Sequence, residues 1–198
     1  MTTIHITPEE ALQKLLDGNE RYIQDRLLHP DRNTERREAV SARQEPFAII
    51  LGCSDSRVPP EIIFDQGVGD LFVVRVAGNV VGPIALESIL YSTKYLHSSL
   101  IIVLGHERCG AVTAVLEGIT TDIKTISSLI KPIIQKCKKC KHTSTEDLLD
   151  LCIRSNAKNI AKNIKKSPII AQYIQEKKID VVAGYYDLDT GRVEILKI

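Results

Sequence analysis

Phe47-Ala48-Ile49-Ile50-Leu51-Gly52-Cys53-Ser54-Asp55-Ser56-Arg57 is the stretch that decides the fold. An unbroken apolar run from Phe47 to Leu51 ends at a glycine and passes straight into a cysteine and charged residues. A strand buried on both faces of a parallel sheet reads this way, because neither face alternates with polar residues. Leu71 to Ala77 is a second such run, closed by Gly78 and Asn79, and Leu100 to Leu104 is a third, closed by Gly105. A helical stretch from Pro83 to His97 lies between the last two. Strands separated by helices form βαβ units with right-handed crossovers.

Towards the C-terminus, Val112 to Ile119 and much of Asp122 to Lys166 read as helix, and Pro168 to Lys177 as another. Asp180 to Tyr186 reads as a strand, and the Asp189-Thr190-Gly191 turn with Arg192 to Ile198 completes a C-terminal hairpin. Towards the N-terminus, Thr7-Pro8-Glu9-Glu10 has the form of a capping box, followed by Ala11, Leu12, Leu15 and Leu16 at helical spacing. Asp25 to Glu45 is charged and aperiodic, an exposed connection, a frayed helix or an arm laid on a partner subunit. The expectation is an α/β fold: an open, mostly parallel sheet flanked by helices, with an N-terminal helical arm (1–45) and an α/β core (46–198) ending in a strand hairpin. The whole chain of 198 residues is expected to be one domain.

Lys plus Arg number 26 against 25 Asp plus Glu, far from the basic excess that a phosphate backbone rewards, so nucleic acid is not the expected partner. There is no run of 18 apolar residues, and Met1 to Thr7 is too polar for a signal peptide, so no membrane span and a cytoplasmic location are expected. Five cysteines, at 53, 109, 137, 140 and 152, then point to metal or reactive thiols rather than disulfides.

Ligands of open parallel sheets gather beyond the carboxyl ends of the strands. The first strand exits there into Cys53-Ser54-Asp55-Ser56-Arg57, and the third into His106-Glu107-Arg108-Cys109-Gly110. Singly, Cys53 and Cys109 are the small buried hydrophobes that free cysteines usually are. Jointly, Cys53, His106 and Cys109 are three good zinc ligands at corresponding strand ends, the number that catalytic zinc takes while keeping a position for water. Asp55 is the nearby candidate for a fourth ligand, which would close the site. Arg57, with one residue between, is spaced to pair with Asp55 bidentately and hold it off the metal.

Cys53-Ser54-Asp55-Ser56-Arg57 followed by His106-x2-Cys109-Gly110 resembles the β-class carbonic anhydrases. The resemblance extends to Asp70 to Arg75, to Ala77-Gly78-Asn79 and to Gly184 to Asp187, covering the chain from about Gln44 onward. It implies one Zn2+ per chain on Cys53, His106 and Cys109, with Asp55 and Arg57 as the dyad that orients the water. It also implies a substrate pocket with Gln44 as a donor to bicarbonate, Phe72 and Tyr91 as lining aromatics and Gly110 beside them, some contributed by a neighbouring subunit. Ordinary core packing is the competing reading for Phe72 and Tyr91. The implied activity is reversible hydration of carbon dioxide to bicarbonate by zinc-bound hydroxide, in a homo-oligomer that is a dimer or a dimer of dimers.

Departures from the family pattern carry expectations of their own. Ile50 stands where members with a second, regulatory bicarbonate site have tryptophan, so that inhibition is not expected. The small Ala77-Gly78-Asn79 version of the loop is expected to widen the pocket. Surface histidines, His97 or His142, or buffer alone would carry the proton away. A zinc-stabilised module closed by Asp55, without catalysis, is the competing class, and hydrolysis of carbonyl sulfide or carbon disulfide is a variant within the enzyme class. A cysteine phosphatase built on Cys53 fails, because its phosphate loop needs five residues between cysteine and arginine and here there are three. Cys137-x2-Cys140 with His142 has the residues of a second metal site or a redox pair, but late in a helical stretch among lysines it reads as surface thiols, and Gly67-Val68-Gly69 is too short for a dinucleotide fingerprint.

Overall fold

The structure, a computed structural model, describes residues 6–141 and 144–198. Strands β1 (Ala48–Gly52), β2 (Leu71–Arg75), β3 (Leu100–His106), β4 (Asp180–Tyr186) and β5 (Val193–Leu196) form one sheet in the order β2-β1-β3-β4-β5. The first four run parallel, and β5 returns antiparallel on β4 as the expected hairpin. Every residue of β1 and β3 is buried, which is why both read as continuous apolar runs. Side chains alternate between two cores: Ile49, Leu51, Ile101 and Val103 face one side, and Ala48, Ile50, Leu100 and Ile102 the other.

The first core is roofed by α5 (Gly110–Glu117), α6 (Lys124–Cys137) and α7 (Thr145–Lys165), with α8 (Pro168–Gln175) leading into β4. The second is covered by α1 (Pro8–Ile23) and the short α3 (Pro60–Ile63). The capping box is formed as the spacing predicts, with Thr7 and Glu10 each bonded to the other's backbone N–H. The charged connection holds one short helix, α2 (Thr34–Val40), with no buried residue. Arg36 ties it down through the Val68 carbonyl at 2.8 Å and the Asp70 carboxylate at 2.9 Å.

The helix expected over 83–97 is α4 (Pro83–Tyr91) followed by a wider π turn, Ser92–Leu96, that ends at His97 with φ 58°. Hydroxyls compete with the backbone there: Thr93 Oγ1 donates to the Ile89 carbonyl, and Ser92 pairs with Ser98, which reaches the Pro46 carbonyl. The stretch 122–166 is two helices, because Ser144 caps α7 by accepting the Asp147 N–H.

Gly18 lets α1 close on the segment after α3. A Cβ there would lie 1.8 Å from the Phe64 carbonyl oxygen, a backbone atom that cannot turn aside. An alanine inside a helix ordinarily stabilises it by about 0.5–1 kcal/mol over glycine. Gly18→Ala should instead destabilise by about 3 kcal/mol, as overpacking does, and the shift of the urea midpoint measures it. Beside it, buried Asp65 accepts from Arg21 Nε at 2.7 Å and from the N–H groups of Leu28 and His29 at 3.0 Å, fixing α1 to the loop that follows.

Candidate active site

The order of connection reverses between β1 and β3, since β1 leads to β2 on one side and β3 continues on the other. The loops at their carboxyl ends part there and leave a crevice. Cys53 follows β1, His106 ends β3, and Cys109 is the N-cap of α5. All three side chains are buried, and one ligand atom from each lies within 4.8 Å of the others. Around a tetrahedral zinc-sized ion such atoms stand about 3.5 Å apart, so a small closure seats one.

His106 Nδ1 lies 2.9 Å from the Glu107 carbonyl. A carbonyl can only accept, so Nδ1 carries the proton and Nε2 turns its lone pair inward. Nε2 is buried and has no hydrogen-bond partner. Two sulfurs and one such nitrogen are the donor chemistry of a borderline divalent metal, which would satisfy the orphaned atom. The Cys53 thiol is drawn down to about 4, chiefly by its interaction with the neighbouring Cys109 thiol and against burial, with the Gly78 and Asp55 backbone groups assisting. The Cys109 thiol is pushed up, because it shares that interaction with Cys53 and is itself buried.

Asp55 and Arg57 are brought together beside this group. Arg57 donates to the carboxylate through Nε at 3.0 Å, Nη2 at 2.8 Å and its own backbone N–H at 2.9 Å. The bidentate hold keeps the Asp55 carboxyl well below the usual carboxylate range. Asp55 Oδ2 is 3.9 Å from His106 Nε2. The carboxylate therefore stands next to the three ligands with three hydrogen bonds from Arg57, two on Oδ1 and one on Oδ2, and with an acceptor position left on Oδ2.

Two residues that the sequence did not assign to the metal ligands support the loop. Arg75, at the end of β2, donates through Nε to the Cys53 carbonyl at 2.9 Å and reaches the Asp55 carbonyl through Nη2. Gly78 donates its N–H to Cys53 Sγ at 3.2 Å. The glycine does not widen a pocket. It is buried with φ 69°, and a Cβ there would stand 2.9 Å from Ile130 Cδ1 and 3.3 Å from Ala111 Cβ. The glycine in sequence marked a backbone need, but backbone donors leave no residue type that names their target.

Gly110 opens α5 next to Cys109, and a Cβ on it would meet nothing within 4 Å. The remaining pocket candidates are not brought to the ligand group within one chain. Gln44 precedes β1 at the opposite end of the strand from Cys53. Gln44 and Tyr91 line a groove of about 600 Å³ at the amino ends of the strands, with Lys14, Arg43 and Asp70. Phe72 pairs with Ile49 in the sheet, its ring 6.4 Å from Tyr91, which is 47% exposed.

Among the described residues, Cys53, His106 and Cys109 are the one group of three set close enough for a metal. Of the two cysteines read as surface thiols, Cys140 is exposed and Cys137 is buried between α6 and α7, where Cys152 is buried too. Burial, then the charge of Cys137, pushes the Cys152 thiol up to about 12. His142 lies outside the described residues. No helix among the described residues is long and apolar enough to cross a membrane.

A family model described as carbonic anhydrase matches residues 48–193. Carbonic anhydrase 2 of Mycobacterium tuberculosis is 36% identical over 189 residues, 93% of this chain and 91% of its own length. The carbonic anhydrase of Mycolicibacterium smegmatis is 36% identical over 192 residues, 95% of this chain and 93% of its own. The β-carbonic anhydrase of Coccomyxa, solved with acetazolamide, superposes with a TM-score of 0.75 at 26% identity, covering 93% and 86% of the two chains. A structure described among tetrameric β-carbonic anhydrases of Sordaria macrospora shares the fold at a TM-score of 0.71 and 24% identity, covering 81% and 85%. The match takes in both loops that carry the cysteines and the histidine, and with it the chain belongs to the β-class carbonic anhydrases.

Proposed function

We propose that this chain hydrates carbon dioxide reversibly to bicarbonate and a proton, with one zinc ion held by Cys53, His106 and Cys109. The observation that carries the reading is the placement of Asp55: next to three converging ligands, yet held bidentately by Arg57. A non-catalytic zinc module would spend Asp55 as its fourth ligand, and the Arg57 hold opposes that. Zinc held there by Cys53, His106 and Cys109 would supply a water of lowered pKa as the nucleophile, though less strongly with two thiolates cancelling its charge than with three neutral imidazoles.

The chain's own residues do the rest. Asp55, ionised by its arginine, is an acceptor that fixes the direction of the attacking water's hydrogen, and Arg57 keeps the carboxylate out of the ligand set. Gly110 leaves room beside Cys109 for a small linear substrate. Gln44 is separated from Cys53 in its own chain by the length of β1, about 16 Å for five residues. A donor role for Gln44, and a lining role for Phe72 and Tyr91, therefore belongs to the site of a second copy, in a homodimer or a dimer of dimers. The Sordaria macrospora proteins described as tetrameric share this fold.

Stopped-flow hydration of carbon dioxide on protein of measured zinc content tests the reading. Activity is expected to rise with pH from about 6.5 to about 9. Asp55 does not set that rise, because it is already ionised well below this range. A flat profile over the same range sinks the two-thiolate site as the source of the nucleophile, and a zinc-loaded but inactive protein sinks the enzyme reading.

A further inference from the structure

We propose that Asn156, on α7, is a positioning residue for the zinc site: it locks the Gly78 turn so that the Gly78 N–H stays on the Cys53 sulfur. The inference rests on the metal reading given above and goes beyond its ligands and its Asp55–Arg57 pair. Asn156 is 1% exposed, and its Nδ2 donates to the Gly78 carbonyl at 3.0 Å. The Gly78 N–H in turn donates to Cys53 Sγ at 3.2 Å.

The two hydrogen bonds leave Gly78 on opposite sides of its Cα, and both are made at φ 69° and ψ 18°. Glycine populates either sign of φ at little cost, so its own backbone does not hold that conformation. The turn supplies one further closure, the Asn79 N–H to the Val76 carbonyl at 2.8 Å. Asn156 on the carbonyl and Val76 on the Asn79 N–H hold the two ends of the same peptide plane, which leaves only the φ and ψ of Gly78 between that anchor and the N–H on Cys53. Rotation of Gly78 would leave a buried amide on Asn156 and a buried N–H both unsatisfied, which the low-dielectric core penalises.

What this does for the site follows from the chemistry of sulfur. An N–H bond to the sulfur holds it in place and at a defined angle, so that it does not have to be ordered when the ion binds. Partners in this outer layer commonly change metal affinity ten- to a hundredfold when removed. Asn156 makes no hydrogen bond to a ligand atom among the described residues, and it reaches Cys53 through the Gly78 backbone.

A merely structural asparagine is available for comparison in the same molecule. Asn19 of α1 is 3% exposed, makes hydrogen bonds to the Ile63 and Gly191 carbonyls and to the Val193 N–H, and packs on the other face of the sheet. Cobalt(II) is the probe, read by the thiolate-to-cobalt charge-transfer absorption and by competition against a chelator. Neither readout requires turnover.

The expected result is that Asn156→Ala shifts the charge-transfer band and weakens cobalt binding about ten- to a hundredfold. Asn19→Ala should lower the urea midpoint and leave both cobalt readouts at wild-type values. If Asn156→Ala does not fold, Asn156→Leu keeps close to the shape and removes the donor, and the same shift is expected. An unchanged band and affinity in a folded Asn156 variant, with wild type binding cobalt normally, overturns this inference and leaves the proposed function standing. A wild-type protein that takes up no cobalt overturns the metal reading and this inference with it.

Discussion

Cys53→Ser should lose both its metal and its hydration activity. Zinc is expected to fall from about one per chain to near zero, and the hydration rate by at least about 10³-fold, since a water without the ion keeps a pKa near 15.7. Serine places a weak, protonated oxygen where the site has a sulfur that is acidified by Cys109 and supported by the Gly78 N–H. A hydroxyl does not ionise under the same influences, so the donor set drops from three to two. Metal analysis and stopped-flow rates on the same preparation check the result. Rates at the wild-type level in a zinc-free variant would remove the Cys53, His106 and Cys109 group from the reaction.

Arg57→Ala should separate chemistry from metal binding. The variant keeps about one zinc per chain, because Arg57 touches none of the three ligands, and hydration falls about 10²-fold, the cost of misplacing a reacting group by about 1 Å. Without Nε and Nη2, Asp55 keeps one donor here, the backbone N–H of residue 57. Its Oδ2 stands 3.9 Å from His106 Nε2, near enough for the freed carboxylate to swing into the ligand set and displace water. Arg57→Lys should recover only part of the loss, since a lysine offers a point charge rather than a planar fork.

The sign of the pH effect separates this mechanism from simple protonation. Arg57 holds the Asp55 carboxyl below its ordinary value, and losing the guanidinium lets it rise back towards about 3.9. The carboxylate is ionised near neutrality in both proteins, so raising the pH does not rescue Arg57→Ala by ionising Asp55. The defect should persist across the alkaline range. Full activity in this variant, or recovery tied to a titration near pH 4, removes the dyad from the mechanism.

Much of this molecule was legible in the sequence, because the signals were local. A parallel strand covered on both faces must be apolar throughout, and Phe47 to Leu51 and Leu100 to Leu104 announce β1 and β3 for that reason. Zinc-type ligands are distinctive side chains, and Cys53, His106 and Cys109 stand directly at strand ends, where parallel sheets place their sites. Arg57 is two residues from Asp55, a distance over which a turn alone can pair them. The break of the 83–97 helix into a π turn was harder to see, because it depends on Ser98 meeting the Pro46 carbonyl across 52 residues.

By itself, then, the sequence determined which segments are buried, which residue types meet at the carboxyl edge of the sheet, and hence the chemistry the chain is built to hold. Only the tertiary structure decided how that chemistry is supported. Gly78 works through a backbone N–H that every non-proline residue carries, and Asn156 reaches it from 78 positions away. Tertiary packing likewise set Gln44 and Tyr91 at the opposite end of the sheet from Cys53, so that the roles proposed for them would require a second copy. The physical reason is common to these cases. Burial and ligand type are properties of single residues and their neighbours in the chain, whereas a hydrogen bond between distant segments is fixed only when packing brings them within about 3 Å.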